Sequence, residues 1–154
     1  MVGATGALRP AVAALRAGGA EVHALARHVD LAGVVPVAVD WHDTAAVRVA
    51  LEGRELDEAL VYAPTAPAAS VAALVAAVSG RVVRLLPSAA LRPPATLADL
   101  AAPDAVRVVL GWARGAGGSR WHTPAEISAA ALGALRDGHD TVLGAVRPWS
   151  HRPV

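Results

Sequence analysis

Val2-Gly3-Ala4-Thr5-Gly6-Ala7-Leu8 stands directly ahead of a segment of helical period, residues 10–17. A helix begins with backbone amides that have no intrahelical acceptor, and aligned peptide dipoles make that end positive, so a turn here can receive a pyrophosphate. Glycine suits such a turn because a side chain would hold phosphate away from the backbone. Two glycines at this spacing also occur in purely structural turns. The sequence downstream favours the first reading: apolar, β-branched segments alternate with Ala/Leu-rich segments of helical period, the pattern of repeated βα units around a parallel sheet.

Working outward, the first helix stops at Gly18-Gly19, and strands are expected over 21–26 and 34–39. A helix over 44–52 is capped by Asp43 or Thr44, a strand follows over 59–62, and Pro64 and Pro67 break the chain before a helix over 68–78. A strand over 81–86 stops at Pro87-Ser88. Pro93, Pro94 and Pro103 mark a loop with a short helix near 97–100, and a strand over 106–110 stops at Gly111. Residues 114–118, Arg-Gly-Ala-Gly-Gly, read as a flexible loop that either closes over a substrate or is disordered. Thr123-Pro124-Ala125-Glu126 has a capping threonine, a proline suited to the first helical position and a glutamate that completes a capping box, so a helix runs from there to about Arg136. A strand over 141–146 and a tail over 148–154 end the chain. The expectation is a single α/β domain over 1–154, a three-layer, Rossmann-type, doubly wound and mainly parallel sheet.

Composition narrows the chemistry. The 154 residues suffice for one domain with a substantial core but not for separate cofactor and substrate domains, so a substrate site must come from loops of the same domain. All 14 basic residues are arginine, which excludes Schiff-base chemistry, a phosphate-binding P-loop lysine and lysine acid–base work. The absence of Cys excludes disulfides, thiolate metal sites and cysteine nucleophiles. A net charge of +1 without a basic stripe argues against nucleic acid or an anionic membrane as partner. His42 with Asp43, and His122, His139 and His151, lack the spacing of a zinc or iron site. A core built from Ala and Val without any Phe buries little area per residue, so a homo-oligomer is expected. Trp112, Trp121 and Trp149 could line a pocket or bury a subunit contact. Met1 leads straight into the glycine turn with no signal-peptide core, which makes the expected location cytoplasmic.

Gly3-Ala4-Thr5-Gly6-Ala7-Leu8 resembles the nucleotide turn of the atypical short-chain dehydrogenases, written GATGxxG, with Arg9 where the third glycine stands. The stretch from Arg120-Trp121 through Glu126-Ile127-Ser128 to Gly144 and Pro148-Trp149 is also similar to small bacterial proteins of that label. The resemblance implies a dinucleotide cofactor, NADP or NAD, held by Gly3, Thr5, Gly6, Ala7 and Leu8, with Arg9 able to reach a phosphate. It implies that Arg27, just after the second strand, meets the 2′-phosphate of NADP, that Asp40 lies beside the adenine, and that Ala63 and Pro64 lie against the ribose. It also implies an apolar first strand of about five residues before Gly3. Only Met1 and Val2 precede it, so the first strand is nearly absent. Either the start lies upstream of Met1, or the sheet has a gap, a rearrangement or a borrowed strand.

The family's tyrosine, followed four residues later by lysine, has no counterpart: the one tyrosine is Tyr62, position 66 is Ala, and there is no lysine. The remaining catalytic candidates are Ser88, at the family's carbonyl-polarising serine, His122 for proton transfer, and Tyr62, in the cleft or in the core. Three readings remain open: an atypical NADP-dependent oxidoreductase acting on an unidentified small molecule, a non-catalytic dinucleotide-binding sensor or partner subunit, or a degenerate or shortened protein that retains only the Rossmann core.

Overall fold

The computed structural model describes residues 1–100 and 104–154. Over these residues it is a mixed α/β protein with four α-helices: α1 (Arg9–Ala17), α2 (Thr44–Leu51), α3 (Ala68–Ala77) and α4 (Pro124–Asp137). A four-stranded parallel sheet has the order β3 (Ala59–Val61), β4 (Val82–Pro87), β5 (Val106–Leu110), β8 (Thr141–Leu143), and a parallel pair is formed by β1 (His23–Ala26) and β2 (Val35–Ala38). β6 (Trp112–Gly115) and β7 (Gly118–Trp121) form an antiparallel hairpin. No helix among the described residues is long and apolar enough to cross a membrane.

Helix ends follow local chemistry. Asp43 caps α2 by accepting from the Ala46 amide at 2.9 Å. At α4 the capping box forms as the sequence predicts: Thr123 accepts from the Glu126 amide, and Glu126 accepts from the Thr123 amide at 2.8 Å. Gly138, at φ +75°, ends α4 in the left-handed region. Side chains alternate across the strands, so Ala59 and Val61 join an apolar cluster with Val47, Leu51 and Leu74 of α2 and α3. Leu60 joins another, with Leu8 ahead of α1, Ala11 of α1, and Ala131 and Leu135 of α4.

The two parallel sheets meet at the chain's first residues. Val2 pairs in parallel with Leu25 on one side and Val61 on the other. Its amide donates to the Leu60 carbonyl at 2.9 Å, its carbonyl accepts from the Tyr62 amide at 3.1 Å, and the Met1 carbonyl accepts from the Leu25 amide at 2.9 Å. The sequence left open a gap, a rearrangement or a borrowed strand, and the structure has Val2, bridged on both sides, in the central position. Behind it, between β1 and β3, lies a recess of about 410 Å³. Glu21, Glu55, Asp57 and Glu58 border this recess, with His23 beside Met1.

The Met1 ammonium sits at the head of this recess and donates to the His23 carbonyl at 2.5 Å. Burial disfavours its charged form and lowers its pKa from 8.0 to about 6.

Two expectations are corrected. Residues 114–118, read as a loop, are the turn and inner rungs of the β6/β7 hairpin: Trp112 pairs with Trp121, Ala113 with Arg120 and Arg114 with Ser119, around a turn in which Gly118 takes φ +108°. Trp112, considered for a subunit contact, is fully buried within the chain and meets Trp149 edge-to-face at 6.0 Å. Pro103 of the expected loop lies outside the described residues.

Candidate functional site

In parallel strands all carboxyl ends lie on one edge of a sheet. The turn after Val2, Arg27 after β1, Asp40 after β2, Ala63 and Pro64 after β3, and Ser88 after β4 therefore share that edge. The glycine turn is shaped by Gly3, at φ +87°, where a Cβ would come within 3.1 Å of the Tyr62 Cβ and carbonyl oxygen. Its carbonyl accepts from the amides of Gly6 and Leu8, both at 3.2 Å, and the Arg9 amide donates to the Gly6 carbonyl at 3.0 Å. These three amides are engaged. Those of Thr5 and Ala7 have no protein acceptor among the described residues. Gly6 is exposed, and a Cβ there would meet nothing within 4 Å, so the protein itself gives no reason for a glycine.

Leu8 is fully buried and sets α1 on the sheet. Arg9, in place of the third glycine, is exposed. α1 still packs closely, because Ala11 and Val12 carry its buried face and Ser128 of α4 donates to the Ala7 carbonyl at 3.1 Å.

Arg27 is exposed at the end of β1. Asp40 accepts from the His42 amide at 2.9 Å and the His42 ring at 3.2 Å, and these bonds, with Arg27 nearby, hold its carboxyl below the usual range. The aspartate is thus engaged in its own turn as well as standing at the strand end. Ala63 is half-buried and Pro64 exposed.

Tyr62, Ser88 and His122 line one cavity of about 270 Å³, walled by Pro87, Leu110, Trp121 and Ile127 and closed by Arg152. Ser88 is buried and its Oγ accepts from Arg152 Nε at 3.2 Å. The His122 side chain is only 7% exposed, and neither ring nitrogen has a hydrogen-bond partner among the described residues. Its Nδ1 lies 3.5 Å from the Glu126 carboxylate, an ion-pair distance without hydrogen-bond alignment. That carboxylate is strongly acidic because Arg120 forks onto it with two bonds of 2.8 Å and the Thr123 amide and hydroxyl add to them, so it is a fixed anion beside the imidazole.

Sequence reasoning missed three parts of this site. Glu126 is more than a cap, and its i, i+4 spacing from His122 was the available signal. Gly144, at φ +76°, lets His122 approach, since a Cβ there would collide with its Nε2. Arg152 reaches the cavity because Arg147 ties the tail to the carbonyls of Leu91, at 2.7 Å, and Ala95, at 3.1 Å. No local pattern announces that course.

No family model and no curated protein matches the chain. Among solved structures it is similar to a "putative exported protein" from Burkholderia pseudomallei, with 20% identity, 89% of this chain and 92% of that chain covered, and a TM-score of 0.56. At that identity the likeness concerns the fold. The cytoplasmic location expected from the sequence is in conflict with that neighbour's description and is withdrawn.

Proposed function

We propose that the chain is a doubly wound, three-layer Rossmann-type domain that binds NADP in the manner of the atypical short-chain dehydrogenases, and that the Tyr62/Ser88/His122 cavity is its oxidoreductase site. Support for the layering comes from the strand sequence β2, β1, Val2, β3, β4, β5, β8, in which the chain starts at the centre and moves first to one side and then to the other. Such a reversal is where open parallel sheets take ligands. The two apolar clusters, one with α2 and α3 and one with α1 and α4, supply an outer layer for each face.

The observation that carries the cofactor reading is the open space over Gly6 together with the free amides of Thr5 and Ala7 ahead of α1. Two amides and a helix N-terminus suit a pyrophosphate, and Arg27 suits a ribose 2′-phosphate. Bound NADPH supplies a hydride. In the cavity, Tyr62 and Ser88 can donate hydrogen bonds to a carbonyl oxygen, and His122, held beside an ionised Glu126, can deliver the proton. The walls of Pro87, Leu110 and Ile127 limit water around the reacting group.

The hold of Arg152 on Ser88 favours a second reading, a binding module whose serine is already engaged. Fluorescence titration with NADPH and NADH tests the first. We expect NADPH to bind about 10-fold more tightly than NADH, Arg27→Ala to erase that preference, and Gly6→Val to abolish binding while leaving thermal stability unchanged. Lack of binding by either dinucleotide ends the proposal. Binding without turnover of any carbonyl substrate selects the module.

A further inference from the structure

We propose that Arg152 is the carboxylate anchor of a small monocarboxylic substrate bearing a carbonyl group and a short apolar tail, an assignment that rests on reading the same cavity as a dinucleotide-dependent site. Arg152 is held in place before any ligand arrives. Its guanidinium lies over the Trp121 ring at 4.7 Å and near the Trp149 ring at 5.6 Å, while Nε donates to buried Ser88. Stacking between indoles restricts the long side chain, so little further ordering accompanies ligand binding.

Among the described residues no carboxylate lies within ion-pair distance of Arg152, as for most arginines of the chain; Arg107, Arg120 and Arg136 pair with Asp140, Glu126 and Asp137. What sets Arg152 apart is that it lines the cavity of Tyr62, Ser88 and His122. Glu126, the acid nearest His122, is committed to Arg120. With Nε on Ser88, the two terminal nitrogens remain for a fork onto a carboxylate. A second observation is independent of the arginine: the buried His122 ring lines the same cavity, and neither of its nitrogens has a hydrogen-bond partner among the described residues.

The rest of the cavity sets the size and polarity of the ligand. At about 270 Å³ it falls below the range of about 300–1,000 Å³ for drug-sized ligands. Leu110, Ile127 and Pro87 offer only apolar contact. A carboxylate on Arg152, a carbonyl toward Ser88 and Tyr62, and a tail against the aliphatic wall match the lining of the pocket.

Calorimetric titration with 2-oxobutanoate, the neutral ketone butanone and inorganic phosphate tests this. We expect saturable binding of 2-oxobutanoate, at least about 10-fold weaker binding of butanone, and a loss of about 10- to 100-fold for 2-oxobutanoate in both Arg152→Gln and Arg152→Leu. These variants should remain folded, and their NADPH affinity should stay at the level of the parent chain. Butanone binding as well as the acid, acid binding that survives both substitutions, phosphate binding more tightly than the acid, or no saturation each overturns the assignment. A parallel NADPH titration separates the two claims. NADPH binding without acid binding removes only the anchor, whereas acid binding without NADPH binding leaves the anchor and removes the dinucleotide reading.

Discussion

Gly144→Ala should lower the melting temperature by about 10 °C and drive His122 out of its place in the cavity. Two costs combine at this position. A residue with a side chain pays about 1–2 kcal/mol to occupy the left-handed region where Gly144 sits, at φ +76°. Its Cβ would also collide with His122 Nε2 and lie 3.0 Å from Cε1 and 2.5 Å from the Trp112 carbonyl oxygen. The ring is already enclosed, so it cannot yield without opening the pocket. A total near 3 kcal/mol in a chain of 154 residues corresponds to the stated shift. Calorimetric melting measures the first effect, and the chemical shifts of the His122 ring measure the second. A variant that melts with the parent and keeps those shifts would show that the close approach of strand and ring is not obligatory.

Trp112→Ala should cost about 3–5 kcal/mol, the usual loss for a fully enclosed indole. Trp112 is the largest side chain with no exposure, and its backbone exchanges hydrogen bonds with Ala145 at 2.8 and 2.9 Å. It thereby joins the hairpin to the segment after β8 and supports the Trp149 ring of the tail. Its indole nitrogen has no partner among the described residues, so Trp112→Phe forfeits volume without forfeiting a hydrogen bond and should cost clearly less than the alanine. Urea midpoints of the two variants check this. Equal losses would point to an unrecognised partner of the indole nitrogen.

The sequence revealed elements wherever a short-range rule governs them. The α4 start was legible because its cap, proline and glutamate are consecutive, and its stop because Gly138 alone can take the left-handed turn. The parallel strands were legible from β-branched runs between breakers. The hairpin was not, because its strands are four residues each and its alternation is hidden by glycine and arginine. The candidate site was legible only in part. Tyr62, Ser88 and His122 were named one by one from strand ends and a helix start, yet that they share one cavity depends on which way each side chain turns across the sheet. Arg152 was beyond reach, since its position depends on Arg147 gripping carbonyls more than fifty residues away.

Among the described residues, the backbone bonds that stitch the β1/β2 half to the β3–β8 half pass through Met1 and Val2, so the seam is far narrower than the ladders on either side of it. A narrow seam divides a fold into separately cooperative units that open at different free energies. The amides of β1 and β2 should therefore exchange with solvent as a group, earlier than those of β4 and β5. The Arg27 arm, carried at the tip of β1, would then loosen while the pocket beside β4 and β5 stays folded.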